Sequence, residues 1–312
     1  MMHGFLVILP VALVMAVGWL LGRRGVVTPE AFAQVNRVIY WTAIPALILR
    51  MTSSADLAVL ADGNMIVAVY LSFILAPPVA WLAGKLAGQD RRRSAASTLM
   101  LIRSNTVFMG LPVITVAVGI PGIEVLSVYL AFTFFGYQII SVSWAQLALS
   151  GGISWKTVKD TLRNLSRNPL VLSSLTGFAL SVTGLNEFPG WLDEALKLLG
   201  NMASGMALLS LGASLRPESL TVMLPRAWRD IALKLFFLPA LTWGLLLLFP
   251  VNPVVFRTVI IIAAMPVSVD SFILSQVLGM DADHTAAGIT ASTILCAFTV
   301  PVWITLMDMF LA

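Results

Sequence analysis

Asn105-Thr-Val-Phe-Met-Gly-Leu-Pro112 sets an amide, a hydroxyl, a glycine and a proline inside an apolar run. About half a chain later Met265-Pro266 interrupts a second apolar run, with Ser268, Asp270 and Ser271 just beyond it. Proline removes a backbone donor and disfavours helix at the preceding residue, and Gly110 lets the backbone leave helical geometry. Both runs should therefore break, the first between Asn105 and Gly110 and the second at Pro266. A broken helix at membrane depth persists only where its freed amides and carbonyls are buried in protein or line a watery cavity. Where two such breaks cross, half-helix N-termini bring partial positive charge to one point, which suits an anion such as a carboxylate. Asn105, Thr106, Gly110, Pro112, Pro266, Ser268 and Ser271 are the candidate binding residues on this reading.

Charged neighbours refine it. Arg103, two residues before Asn105, is expensive at that depth unless paired or hydrated. Its planar fork fits a second acid group of a substrate, a protein carboxylate, or the interface reached by snorkelling. Asp270 either binds a coupling proton or sodium ion or is the fixed partner of Arg103, which would leave no ion site. Gln138 faces the site or bonds another helix. Lys234, Arg37, Arg257 and Asp308 lie near enough to span ends to have structural roles, and His284 reads as a loop residue.

The elements that must position these groups are membrane spans. Of 312 residues, 59% are hydrophobic and 11% charged, against roughly 25% charged in ordinary soluble domains. A bilayer-spanning helix needs about 17–25 mostly apolar residues. Such stretches lie near residues 4–22, 34–50, 64–84, 94–118, 123–149, 168–184, 197–215, 229–249, 255–279 and 285–311. The seventh is rich in small residues (Ala203, Ser204, Gly205, Ala207, Gly212), which permit close backbone approach in a packed scaffold or a dimer face. Gly18-Trp-Leu-Leu-Gly22 fits the same kind of packing. Cys296 has no partner for an internal disulfide. The first apolar run has Arg23 and Arg24 after it rather than before it, so it reads as a span and not a signal peptide.

Loop charge sets the topology. Arg23, Arg24, Lys85, Arg91–Arg93, Lys156, Lys159, Arg163, Arg167, Arg216, Arg226 and Arg229 fall on one side. Only Arg50, Lys197 and Arg257 fall on the other, with Asp56, Asp62, Glu187, Asp193 and Glu194. Basic short loops mark the cytoplasm, which puts both termini on the extracytoplasmic side. The net charge of +4 follows from this asymmetry, and no basic folded domain exists to bind nucleic acid.

Offset by roughly 160 residues, span six falls on span one, eight on three and nine on four. Two halves, 1–150 and 164–312, then hold five spans each. An odd number inverts the second copy, the inverted-repeat arrangement of secondary carriers. Gly119-Ile-Pro-Gly-Ile-Glu124 and Gly279-Met-Asp-Ala-Asp-His284 occupy matching connections.

Over essentially its whole length the chain resembles the auxin efflux carrier family, on the strength of three stretches. These are the Asn105–Pro112 run, Asn36-Arg37 followed by Ile44-Pro45-Ala-Leu, and Ala264-Met265-Pro266. The resemblance implies an all-α membrane fold akin to bile-acid and sodium–proton carriers, with ten helices and crossed broken helices four and nine. It also implies a scaffold of helices 1, 2, 6 and 7, a moving domain of helices 3–5 and 8–10, and a homodimer. Asn105 would contact the substrate carboxylate. The short central connection favours a bacterial inner-membrane carrier of organic acids such as malonate over a plant auxin exporter.

Rival classes lack their residues. A zinc protease needs His-Glu-x-x-His, but the chain has only His3 and His284. The G-x-G-D signature of one class of intramembrane aspartyl protease is missing, and Asp270 and Asp308 form no catalytic pattern. A channel is the remaining alternative, because crossed half-helices also build pores. The expectation is a secondary transporter of a small carboxylate, needing no cofactor beyond a possible proton or sodium ion.

Overall fold

A computed structural model of the chain describes residues 2–54, 63–150, 159, 163, 166–167, 169–185, 187–214 and 220–311. Asp56, Asp62, Lys156 and Arg216, used above to set topology, lie outside the described residues.

The described residues are helical throughout, apart from turns and a single antiparallel bridge. The helices are α1 (Met2–Arg23), α2 (Pro29–Trp41), α3 (Ala43–Ser54), α4 (Gly63–Leu86) and α5 (Arg91–Ile102). After a π-turn (Thr106–Gly110) come α6 (Leu111–Ala117), α7 (Ile120–Ser150), α8 (Pro169–Thr183), α9 (Gly190–Ser214) and α10 (Leu220–Ala232). A second π-turn (Leu233–Phe237) leads to α11 (Leu238–Leu248), α12 (Pro253–Ala264), α13 (Asp270–Val277) and α14 (Ala282–Phe310).

Among the described residues, four helical stretches are long and apolar enough to cross a membrane: Glu30–Ser54, Gly63–Leu86, Ala227–Leu248 and Ala282–Phe310. Thr106–Ala117 and Pro253–Ala264 are apolar but shorter, and each has one end at one of the two breaks. Several helices begin where the sequence supplies a cap. Thr28, Asp90, Asn252 and Asp281 each accept a bond from a backbone amide of the first turn, satisfying a donor that the helix itself cannot. The matched connections of the two halves each turn on a glycine with positive φ, Gly119 at 79° and Gly279 at 72°, a conformation that side chains disfavour.

The first break lies earlier in the chain than its residues suggest. Arg103–Asn105 is the extended segment, whereas residues 106–110 are already coiled, as a π-turn. The reason is Pro112, at the second position of α6. It has no amide to offer, and its ring would crowd the carbonyl four residues back. Widening the coil relieves both problems: the amide of Gly110 donates to Asn105 O, 2.9 Å away, and that of Leu111 to Thr106 O. Pro239 stands in the same relation to the π-turn at 233–237, with Leu238 donating to Leu233 O.

The helix contacts form two packing groups that also touch each other, α1 lying on α14 and α8 on α7. α1 lies along α9, and α3 is wedged between α8 and α9, with α2 on α9. α5 packs between α4 and α7, α10 packs on α14, and α11 packs on α4 and α12. In the first group the small residues lie between two helices of one chain. A Cβ on Gly18 would stand 2.0 Å from the Leu209 carbonyl oxygen, and one on Gly212 would stand 2.0 Å from that of Met15. A Cβ on Gly205, on the same helix as Gly212, meets nothing within 4 Å.

This contrast predicts that Gly18→Ala and Gly212→Ala each lose roughly 1–3 kcal/mol of stability, because backbone must move to admit a methyl group. Gly205→Ala should be neutral or stabilising by up to about 1 kcal/mol through helix propensity. Thermal unfolding of the purified protein in detergent compares the three. Equal effects at all three positions would contradict the packing.

Candidate functional site

The two breaks cross each other. Arg103–Asn105 runs antiparallel to Pro266–Ser268, and the segments exchange two backbone bonds: Asn105 N–H to Pro266 O and Ser268 N–H to Arg103 O, both 2.8 Å. Two further freed groups find side-chain partners. The amide of Val267 donates to Ser292 Oγ on α14 at 3.1 Å. The carbonyl of Leu101, at the end of α5, accepts from Lys234 Nζ at 3.1 Å. Helices α6 and α13 both run outward from this point, so each broken span contributes one C-terminus and one N-terminus to the crossing.

Beside the crossing is a cavity of about 70 Å³, several times the ~10–15 Å³ that one water requires. Ser104, Asn105, Thr106, Ser268 and Asp270 line it from the crossing, Tyr129, Thr133 and Tyr137 from α7, Tyr40 from α2 and Leu170 from α8. Asn105 is the telling member. The residue is 1% exposed, and its side-chain Nδ2 has no hydrogen-bond partner among the described residues. A buried amide donor without a partner costs about 1–3 kcal/mol. Here it lines a space able to hold a ligand.

Arg103 is fully buried. Its guanidinium donates to Gln138 Oε1 at 2.6 Å, to Ser141 Oγ at 2.9 Å and to Asp270 Oδ2, and its centre lies 4.8 Å from the centroid of the Tyr137 ring. Of the three surroundings the sequence allows for Arg103, the geometry supplies a protein carboxylate. Asp270, whose side chain is 47% exposed, sits at the first position of α13, where the helix dipole favours an anion. Gln138 is thereby turned toward Arg103 and does not line the cavity. Gly110 and Pro112 are buried behind the crossing, where they shape the π-turn, and Pro266 contributes its carbonyl. Ser271 is buried away from the cavity, its hydroxyl without a partner among the described residues.

Two placements differ from the sequence reading. Lys234 is wholly buried and does not reach an interface: its ammonium donates to Ser104 Oγ at 2.6 Å as well as to Leu101 O. The π-turn before Pro239 carries it inward. His284 is not in a loop but in the first turn of α14, where its Nε2 lies 2.6 Å from Asp230 Oδ2 and both side chains are buried. Ser104, Ser141 and Ser292 carry no sequence motif, since serines are common in apolar helices. Lys234 carried a usable signal, being the lone charged residue within the apolar stretch 231–248.

The family described as "Membrane transport protein" matches residues 3–304. An "Uncharacterized transporter" of Methanothermobacter thermautotrophicus is 26% identical over 299 residues, covering 95% of this chain and 96% of that protein. A "Putative malonate transporter" of Rhizobium meliloti is 24% identical over 305 residues, covering 94% of this chain and 92% of that one.

The Arg103–Asp270 pair predicts an asymmetry. Asp270→Ala strands a fully buried guanidinium and should cost roughly 3 kcal/mol or more. Arg103→Met strands a carboxylate that already faces the cavity, and should cost less. Paired thermal melts measure the difference; a larger loss for Arg103→Met would count against this geometry.

Proposed function

The chain belongs to the membrane transport protein family, the auxin efflux carriers, and from that premise we propose that it is a secondary carrier of small carboxylates. The observation that supports this most directly is the unpartnered Nδ2 of Asn105 at the crossing cavity. A carboxylate oxygen is the acceptor such a donor lacks, and a charged acceptor makes the stronger bond. The hydroxyls of Ser104 and Ser268 border the same space and can serve the second oxygen, whereas those of Thr106 and Thr133 already donate to the Ser104 and Tyr129 carbonyls. A cavity of about 70 Å³ suits an acid of a few heavy atoms, and the relative named as a putative malonate transporter agrees in scale.

On this reading the helices group into ten spans: α1, α2–α3, α4, α5–α6, α7, α8, α9, α10–α11, α12–α13 and α14. Residues 1–150 and 164–312 are inverted repeats, and the antiparallel exchange between Arg103–Asn105 and Pro266–Ser268 is what a two-fold axis through the crossing would produce. Spans one, two, six and seven are the scaffold, and the remainder is the moving domain. The cavity draws Tyr40 and Leu170 from the first group and its other lining from the second, so displacement of one group against the other alters access to it. The Arg103–Asp270 pair keeps the cavity wall nearly neutral. A homodimer in a bacterial inner membrane, with both termini extracytoplasmic, completes the proposal, the orientation resting on loop charge.

Reconstituted into liposomes, the protein should show saturable counterflow of radiolabelled malonate. Asn105→Ala should raise the half-saturating concentration roughly ten- to hundredfold, the loss expected for one hydrogen bond to a charged group, with the protein still folded by size-exclusion chromatography. Wild-type flux in that variant would sink the assignment of Asn105. Unsaturable flux without counterflow would point to a channel.

A further inference from the structure

Arg103 aside, Lys234 is the largest fully buried side chain among the described residues, and the carrier reading does not use it. Its Nζ donates to two oxygens, Leu101 O at 3.1 Å and Ser104 Oγ at 2.6 Å. Neither is anionic. The Leu101 carbonyl belongs to the C-terminal end of α5, where the helix dipole attracts a cation, so the site is built for positive charge without neutralising it.

Charged groups on the surrounding elements are committed elsewhere. The π-turn that holds Lys234 packs against α5, α10, α11, α12 and α14. On α10, Asp230 is paired with His284 of α14, and Arg229 reaches toward the Ala83 carbonyl. Arg257 of α12 is paired with Asp308 of α14. Just past α5, Arg103 is paired with Asp270. The other titratable group buried on α14 is Cys296, whose thiol donates to the Thr293 carbonyl at 2.9 Å, and α11 carries no ionisable side chain. Among the described residues, Lys234 is therefore a buried ammonium with no counter-charge.

Such a charge is costly. The cost is removed when the proton leaves or when an anion arrives nearby. Both events are within reach, because Ser104, whose hydroxyl receives the lysine's bond, itself lines the cavity next to Asn105. On the other side, Asp230, four residues before Lys234 in the chain, is turned to His284 at the start of α14.

We propose that Lys234 is the proton-binding site of the carrier, and that the carboxylate held at Asn105 supplies the counter-charge its ammonium lacks. The inference rests on the carboxylate-carrier reading. Binding of the anion favours the protonated lysine and, by reciprocity, protonation favours the anion. One proton thus enters with one carboxylate. When the carboxylate departs, the ammonium N–H bond breaks, nitrogen keeps the electron pair, and the proton passes through Ser104 to water in the cavity. Asp270 is on this view the fixed partner of Arg103.

The test uses full-length protein in liposomes with the membrane potential clamped at zero and radiolabelled malonate as probe. With one proton per malonate, wild type should accumulate malonate up to about tenfold for each pH unit of inward proton gradient. Lys234→Met, and Lys234→Arg, which keeps the charge but cannot release it, should lose that accumulation. Folded variants that still accumulate malonate as wild type does would overturn the proposal. So would loss of the gradient response in Asp270→Asn with its retention in Lys234→Met. A second measurement needs no variant: malonate added to wild-type protein in weakly buffered detergent with an indicator dye should cause proton uptake, and binding without uptake refutes the assignment. Malonate exchange that ignores a pH gradient removes Lys234 from the mechanism and leaves the carrier reading intact, whereas absence of malonate exchange in wild type removes both.

Discussion

Two helices broken in an apolar interior release backbone groups that no water can serve, and the centre of this molecule is organised around satisfying them. Each unsatisfied group would cost several kcal/mol in hydrocarbon. The breaks therefore serve each other, through the paired bonds between Asn105 and Pro266 and between Ser268 and Arg103. Two further groups are met by single side chains drawn from outside the crossing: Ser292 for the Val267 amide and Lys234 for the Leu101 carbonyl. The dipoles left by the half-helices are complemented in the expected sense, with a cation at the C-terminal end of α5 and an anion, Asp270, at the N-terminal end of α13. Once these demands are met, the amide of Asn105 is the conspicuous remainder, and it lines the cavity.

The two π-turns belong to the same economy of backbone groups. Each precedes a proline by two residues, and each turns a functional stretch toward the centre: Thr106 and Gly110 in one case, Lys234 in the other. A proline in an otherwise regular helix would ordinarily produce a kink. A widened coil instead keeps the axis running and rotates the residues before the proline, which is how a lysine five residues into an apolar stretch comes to be enclosed by protein.

Much of this was legible in the sequence because it depends on residue types that act locally. Proline and glycine mark the breaks, hydropathy gives the helices, and Thr28, Asp90, Asn252 and Asp281 mark helix starts. The choice of partner for Arg103 was not legible: three environments satisfied its chemistry equally, and only the crossing of residues 103–105 with 266–268 brings Asp270 alongside. Lys234 and His284 were misplaced for a related reason. Depth along a helix was read as distance from water, but burial depends on what packs around the helix, and the partners of both residues come from distant segments. The exact site of the first break shifted because a π-turn satisfies the need created by Pro112 without opening the chain at that point.

The paired bonds between Asn105 and Pro266 and between Ser268 and Arg103 also bear on how the molecule is made. During synthesis the first half reaches the bilayer while residues 266–268 do not yet exist, so the amide of Asn105 and the carbonyl of Arg103 have no partner in the chain. A nascent span carrying two such groups and an uncompensated arginine is poorly held by lipid. It must linger near the water of the insertion machinery, or enter as an unbroken helix that opens later. The second half then does more than add helices: its arrival completes the backbone of the first. The two halves can be read as separate units in sequence, but neither can be finished without the other.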